Sequence, residues 1–267
     1  MTMVFGEPRV GFGTWQNTDP DACAESVRTA LEMGYRHIDT AQLYDNEAYV
    51  GDGIERADVD REEITLGTKL WPGDLASDRV PEAVSESLDR LGVDYVDVLY
   101  VHWPAKDYDA ADTLGAFAEL RDEGLIRHVG VSNFTTDLLD EARAACDVPI
   151  AVNQIELHPL LPQPDLIEYC HGHDIDVVAY SPLARGEVFE IPEITDIARE
   201  NGLSEAQVAI VWLLSKDGVH PIPKASSEDH IRGNLEAADI ELASEELARI
   251  GDIDRELRIA DRDWVDW

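Results

Sequence analysis

Gly11-Phe12-Gly13-Thr14-Trp15-Gln16 stands where a choice between two folds is made. The six residues begin like the G-x-G-x-x-G turn of an open, doubly wound dinucleotide-binding sheet, but Gln16 occupies the place of the third glycine. No helical pattern starts directly on the stretch, so it reads instead as a tight bend leaving a first strand at 10–13. Outward from it, short apolar runs recur at 37–40, 64–69, 96–102, 128–132, 151–155, 177–181 and 219–222. Between them lie segments of 3.6-residue periodicity at 22–33, 80–91, 114–122, 136–145, 164–171, 194–201, 205–216 and 228–237. Asp19, Ser77, Thr135 and Ser204 are placed as N-caps, and Gly34, Gly92, Gly124, Gly172 and Gly202 as helix stops. Strict alternation predicts parallel strands with crossover helices. Eight such units in about 250 residues suit a closed (β/α)8 barrel, the TIM-barrel architecture, with 1–267 forming one domain.

Composition narrows the function. Of 267 residues, 56 are Asp or Glu and 21 are Lys or Arg, a net charge of −35. Such a surface repels phosphate backbones and anionic headgroups, so neither nucleic acid nor a membrane surface is an expected partner. The only lysines are Lys69, Lys106, Lys216 and Lys224. A folded chain under this self-repulsion needs screening, and the Debye length is about 3 Å in 1 M salt. We therefore expect a halophile's protein. Cys23, Cys146 and Cys170 are odd in number, widely spaced and form no C-x-x-C, which favours a reducing compartment over a disulfide scaffold or structural zinc. No signal-peptide pattern opens the chain, and no apolar run approaches the roughly 20 residues of a membrane span. A cytoplasmic location is the expectation. The one H-x-H, His171-Gly172-His173, falls at a helix end away from the strand tips, so no metal site is expected.

Barrel enzymes place their chemistry at the carboxyl ends of strands. There the sequence sets Asp39, with Tyr44 five residues on, then Lys69, then His102. A lysine in so apolar a strand needs a partner, and Asp39 ends the neighbouring strand. A tyrosine is a poor acid near neutrality, and a nearby ammonium is expected to lower its pKa. Tyr44 beside Lys69 could then donate a proton to a developing alkoxide, with Asp39 holding the lysine and His102 orienting the oxygen. Proton donation to an alkoxide is half of a carbonyl reduction; the other half is a hydride, which a nicotinamide supplies. Each residue alone could be a barrel ion pair, a packed histidine or a loop tyrosine. Four on consecutive strand ends favour catalysis.

Six stretches carry a resemblance. Asp39-Thr40-Ala41-Gln42-Leu43-Tyr44-Asp45-Asn46-Glu47-Ala48-Tyr49-Val50-Gly51 and Leu99-Tyr100-Val101-His102-Trp103-Pro104 are the first two. Gly130-Val131-Ser132-Asn133-Phe134 and Val152-Asn153-Gln154-Ile155-Glu156-Leu157-His158-Pro159 follow. Ala179-Tyr180-Ser181-Pro182-Leu183 and Ile222-Pro223-Lys224-Ala225-Ser226 complete the set. In this order they resemble the aldo-keto reductase superfamily, in particular bacterial and archaeal members acting on small carbonyls such as glyoxal and diketogluconate. The resemblance implies a catalytic tetrad of Asp39, Tyr44, Lys69 and His102. It implies that Ser132, Asn133 and Gln154 hold the nicotinamide carboxamide, that Tyr180 stacks on its ring, and that Ser181 and Leu183 run along the pyrophosphate. Thr14 joins the cofactor side. Lys224 and Ser226 would meet the 2′-phosphate of NADPH, and Asn234 the adenine. Here the chain departs from the family pattern: His230 stands for an arginine and Gly233 for an acidic residue, so NADH is the alternative cofactor, with Arg232 a candidate substitute. Trp15, Leu43, Trp71 and Trp103 would line an aromatic substrate pocket. Trp264 and Trp267 would cap it or anchor the tail. The expectation is a monomeric reductase of small aldehydes and ketones; the alternative is a non-catalytic cofactor-binding regulatory subunit of the same fold.

Overall fold

The computed structural model describes residues 4–261, so Trp264 and Trp267 lie outside the described residues. Strands β1 (Phe12–Gly13), β2 (His37–Asp39), β3 (Thr65–Leu70), β4 (Val96–Val101), β5 (Ile126–Ser132), β6 (Ile150–Glu156), β7 (Asp176–Tyr180) and β8 (Val219–Pro221) lie side by side in chain order. Every neighbouring pair is parallel. The Gly11 amide donates to the Pro221 carbonyl at 2.9 Å and the Gly13 amide to the Pro223 carbonyl at 3.2 Å, which joins the last strand to the first. The expected (β/α)8 barrel is thus present.

The opening glycines serve a purpose other than the expected bend. Neither has a positive φ; the left-handed residue is Gln16, at φ 64°. A Cβ at position 11 would stand 2.4 Å from the His37 ring, and one at position 13 would stand 2.6 Å from the Ile222 carbonyl oxygen. Gly13 permits close approach across the seam to Ile222, and Gly11 leaves room for the His37 ring of β2.

Around the sheet run α1 (Pro20–Met33), α2 (Glu47–Arg56), α3 (Val80–Leu91), α4 (Ala110–Asp122), α5 (Thr136–Ala145), α6 (Pro164–Gly172), α7 (Pro192–Asn201), α8 (Glu205–Leu214), α9 (Glu228–Glu236) and α10 (Ser244–Gly251). Asp19, Thr135 and Ser204 cap as expected, each side chain accepting an amide of the first turn. Ser77 does not: Arg79 stands at the start of α3 without a side-chain cap, and Pro81 presets the first turn instead. Helix α4 begins at Ala110, earlier than its apolar periodicity suggests, because Asp109 accepts from the amides of Ala111 and Asp112. Gly34, Gly92 and Gly202 end their helices in the left-handed conformation. Gly172 instead lies within α6, and the left-handed residue after it is Asp174, at φ 59°.

The barrel interior is filled by Phe5, Val98, Tyr100, Val152, Val178 and Ile222. Phe5 plugs the amino-terminal face, its ring 4.4 Å from that of His37 and 4.8 Å from that of His220. The neighbouring Val4 amide donates to Asp176 at the start of β7. The filled interior leaves the carboxyl-end face as the place for chemistry.

Candidate active site

Asp39 is the last residue of β2, and Lys69 the penultimate residue of β3; both side chains are fully buried. The Lys69 ammonium donates to Asp39 Oδ1 at 2.5 Å and to the Thr40 carbonyl at 2.7 Å. Its third neighbour is the Tyr44 hydroxyl, 3.4 Å away. His102, directly after β4, turns its ring edge-on to Tyr44 with centroids 5.9 Å apart. The four residues read from the strand ends therefore meet at one point.

The turn that carries Tyr44 is held from several sides. It is a single 3-10 turn, Gln42–Tyr44, ending in a left-handed Asp45. Asn46 behind it accepts from the Thr40 hydroxyl at 2.8 Å and donates to the carbonyls of Thr14 and Asn17. Gln42 donates to Asp74 and accepts the Trp71 amide. Buried Glu47 accepts from the Thr68 hydroxyl and from Arg90. Asn46, Gln42 and Glu47 stand in the quoted Asp39–Gly51 stretch, yet no role was assigned to them. Apart from Thr40, their partners are 20 or more residues away in the chain, and only the fold brings these together.

The electrostatics differ from expectation at Tyr44. Burial, with the Asp39 charge second, pushes its phenol well above the usual tyrosine value. The Lys69 ammonium, 3.4 Å away, does not outweigh that burial. The site thus holds a neutral O–H, the form a proton donor requires. Burial likewise pushes the Asp39 carboxyl up and the Lys69 ammonium down, and their contact opposes both shifts.

Above these residues opens a cavity of about 330 Å³. Thr14, Trp15, Leu43, Tyr44, His102, Trp103, Ser132, Asn133, Gln154, Tyr180, Ser181 and Lys224 all line it. Trp15 and Leu43 are exposed at its rim, while Trp103 is buried. Trp71 lies behind the lining and meets the His102 ring edge-on at 5.5 Å. Leu183, Ser226 and Asn234 do not line the cavity. Leu183 packs on the core, Ser226 accepts from Lys224 Nζ at 3.2 Å, and Asn234 is buried on α9.

The floor is a chain of side-chain bonds. Gln154 Nε2 donates to Asp39 Oδ2 at 2.7 Å, and Ser132 Oγ donates to the Gln154 carbonyl at 2.9 Å. Asn133, left-handed at φ 65°, donates to Ser132 Oγ and to the His102 carbonyl. The Tyr180 hydroxyl donates to Asn133 Oδ1 at 2.8 Å, which leaves the ring facing the cavity. Arg185, left-handed at φ 52°, lays its guanidinium 4.5 Å from the Trp15 ring centre at the mouth. Arg232, the candidate substitute for an arginine at His230, pairs with Glu228 at 2.7 Å on the exposed face of α9. Among the described residues no group of three His, Cys, Asp or Glu is placed to hold a metal ion. No described helix is long and apolar enough to cross a membrane.

A filled eight-stranded barrel with a buried Asp–Lys pair behind a tyrosine at its mouth defines a class of oxidoreductase barrels. The chain belongs to the Aldo/keto reductase family, whose pattern it matches over residues 9–255. It is 38% identical over 252 residues to the glyoxal reductase of Bacillus subtilis, covering 94% of this chain and 91% of that one. The aldose reductase structure from Giardia lamblia superposes with a TM-score of 0.92 at 31% identity, covering 97% of this chain and 96% of that one. The Bombyx mori aldo-keto reductase in complex with NADP superposes with a TM-score of 0.88 at 33% identity, covering 95% and 91% respectively. The protein is an NAD(P)H-dependent oxidoreductase that reduces carbonyls.

Proposed function

We propose that this reductase converts small aldehydes and ketones to alcohols with NADPH, Tyr44 acting as the acid. The observation that carries the reading is the Lys69 ammonium poised 3.4 Å from the Tyr44 hydroxyl with Asp39 behind it. Tyr44 would give its proton to the carbonyl oxygen. Lys69 would stabilise the phenolate that remains, and Asp39 would hold Lys69 in position. His102, edge-on to Tyr44, would orient the same oxygen. A bound nicotinamide supplies the hydride. Ser132, Asn133 and Gln154 offer the amide and hydroxyl groups its carboxamide needs, Tyr180 a ring face, and Thr14, Ser181, Leu183 and Asn234 the remaining contacts. Trp15, Leu43 and Trp103 form the apolar wall for the substrate, with Trp71 bracing His102. The site's completeness within one chain supports a monomer.

Preference for the phosphorylated cofactor rests on Lys224 and Ser226. Two cationic side chains, Lys224 and Arg185, line the cavity. In so acidic a chain that clustering draws an anionic cofactor to the site. Lys224→Ala should raise the KM for NADPH about tenfold and leave that for NADH unchanged, since a charged hydrogen bond contributes about 1.5–3 kcal/mol. Equal effects on both cofactors would remove Lys224 from phosphate recognition.

The direct test follows NADPH and NADH oxidation in molar KCl with glyoxals, aromatic aldehydes and keto-sugars. Turnover establishes the reaction. Its absence in folded, cofactor-bound protein would favour a binding subunit. We also infer a salt-requiring cytoplasmic protein, a reading supported by the net charge of −35 and by free, buried Cys23 and Cys170. The melting temperature should rise by about 10 °C between dilute buffer and molar KCl, equivalent to about 5 kcal/mol at this chain length. An unchanged melting curve would sink the halophile reading.

A further inference from the structure

The barrel ends with a carboxylate that the reaction does not use. Glu156 is the last residue of β6, and its side chain is fully buried. Its Oε1 accepts the Ile259 amide at 2.7 Å, and its Oε2 accepts the Ala260 amide at 2.6 Å. His158 Nε2 stands 2.8 Å from Oε1. A buried carboxylate is costly unless its lone pairs are filled, and here they are filled largely by the tail of the chain.

The segment 253–261 after α10 forms no helix or strand. A further backbone bond runs from the Leu257 amide to the Leu160 carbonyl at 2.9 Å. Ala260 nevertheless reaches the cavity and forms part of its wall. Glu156 also lies opposite Tyr180 in the β6–β7 register, and the Leu157 amide donates to the Tyr180 carbonyl. One carboxylate therefore ties an irregular tail to the strand end beside the ring that faces the cavity. Burial alone would raise its pKa; the bonds from His158, Ile259 and Ala260 outweigh burial and hold the carboxyl below its usual value. It remains a charged, strong acceptor at neutral pH.

We propose that Glu156 is a positioning residue: by holding the amides of Ile259 and Ala260 it fixes the tail as a wall of the carbonyl cavity and so sets the size of carbonyl the enzyme accepts. The inference rests on the carbonyl site proposed above. A released tail widens the cavity. Small carbonyls then lose contacts, whereas bulky ones do not.

The test compares parent and Glu156→Gln in molar KCl, with methylglyoxal as the small probe and benzaldehyde as the bulky one. The amide side chain keeps one acceptor and loses the charge. We expect kcat/KM for methylglyoxal to fall about tenfold, mainly through KM, and that for benzaldehyde to hold, so that the selectivity ratio moves about tenfold. NADPH affinity should hold, and the amides of Ile259 and Ala260 should exchange hydrogen faster. An unchanged selectivity ratio with unchanged exchange overturns the proposal. So does a fall in melting temperature with both substrates and the cofactor losing affinity alike, which is the signature of a merely structural residue. Should Glu156→Gln not fold, Ala260→Pro removes one donor from the other side of the contact. It should give the same selectivity shift, and failure to do so overturns the proposal. A parent that turns over neither carbonyl defeats the proposed reaction, while hydrogen exchange still reads the clamp.

Discussion

Tyr44→Phe is expected to lower kcat by about a thousandfold or more, because a positioned general acid contributes about 10²–10⁴-fold. The phenylalanine ring keeps the edge-on contact with His102 and removes only the hydroxyl that Lys69 faces at 3.4 Å. Cofactor affinity should therefore stay within about twofold, the mark of an interaction made in the transition state. Stopped-assay turnover and a fluorescence titration of NADPH separate the two quantities. A variant retaining a tenth of parent turnover would remove Tyr44 as the acid and shift attention to His102. Because burial already keeps the phenol protonated, parent turnover should show no loss of the acid near neutral pH.

Lys69→Met is expected to abolish turnover and to destabilise the fold by about 3–5 kcal/mol, since removing one partner of a buried pair leaves the other charge uncompensated. Asp39 would keep its bond from Gln154 but lose the ammonium at 2.5 Å. Its carboxyl, already raised by burial, would rise further above its unfolded value of about 3.9. A carboxyl raised in the folded state binds protons there more tightly than in the unfolded chain. Its contribution is fully present below the unfolded pKa and is lost as pH climbs through the folded one. The gap between variant and parent should accordingly narrow as pH falls from neutrality towards 5. Adding Asp39→Asn should recover much of the stability and none of the turnover. Denaturant melts of the parent and both variants in molar KCl check this; an unchanged melt for Lys69→Met would mean that the pair contributes nothing to the fold.

The barrel was legible because its strands are short apolar runs between periodic helices, a pattern that local sequence carries. Helix α2 was not read, although its Val50 and Ile54 are buried as an amphipathic helix requires. Gly51 and Gly53 make its sequence a poor helix, and the reason for Gly51 is tertiary: a Cβ there would stand 2.3 Å from the Leu91 carbonyl oxygen of α3. The tetrad could be found because strand ends mark it. The acidity of Tyr44 was misjudged, since proximity to Lys69 is visible in a strand pattern and burial of the hydroxyl is not. Arg185, Ala260 and Glu156 were given no firm part in the site, because a loop after β7, a tail and a strand end meet only once the ring closes.

The plug at Phe5 has a practical side. Residue 4 lies beneath the barrel, bonded at the start of β7, whereas residues 259 and 260 lie at the opposite face against Glu156. The two ends are therefore unequal as handles. A fusion partner, an affinity tag or a tether to a solid support joined ahead of residue 4 leaves the entrance unobstructed. The same attachment made at residues 259–261 starts beside the doorway, and an immobilised reductase built that way would meet its substrates through its own linker.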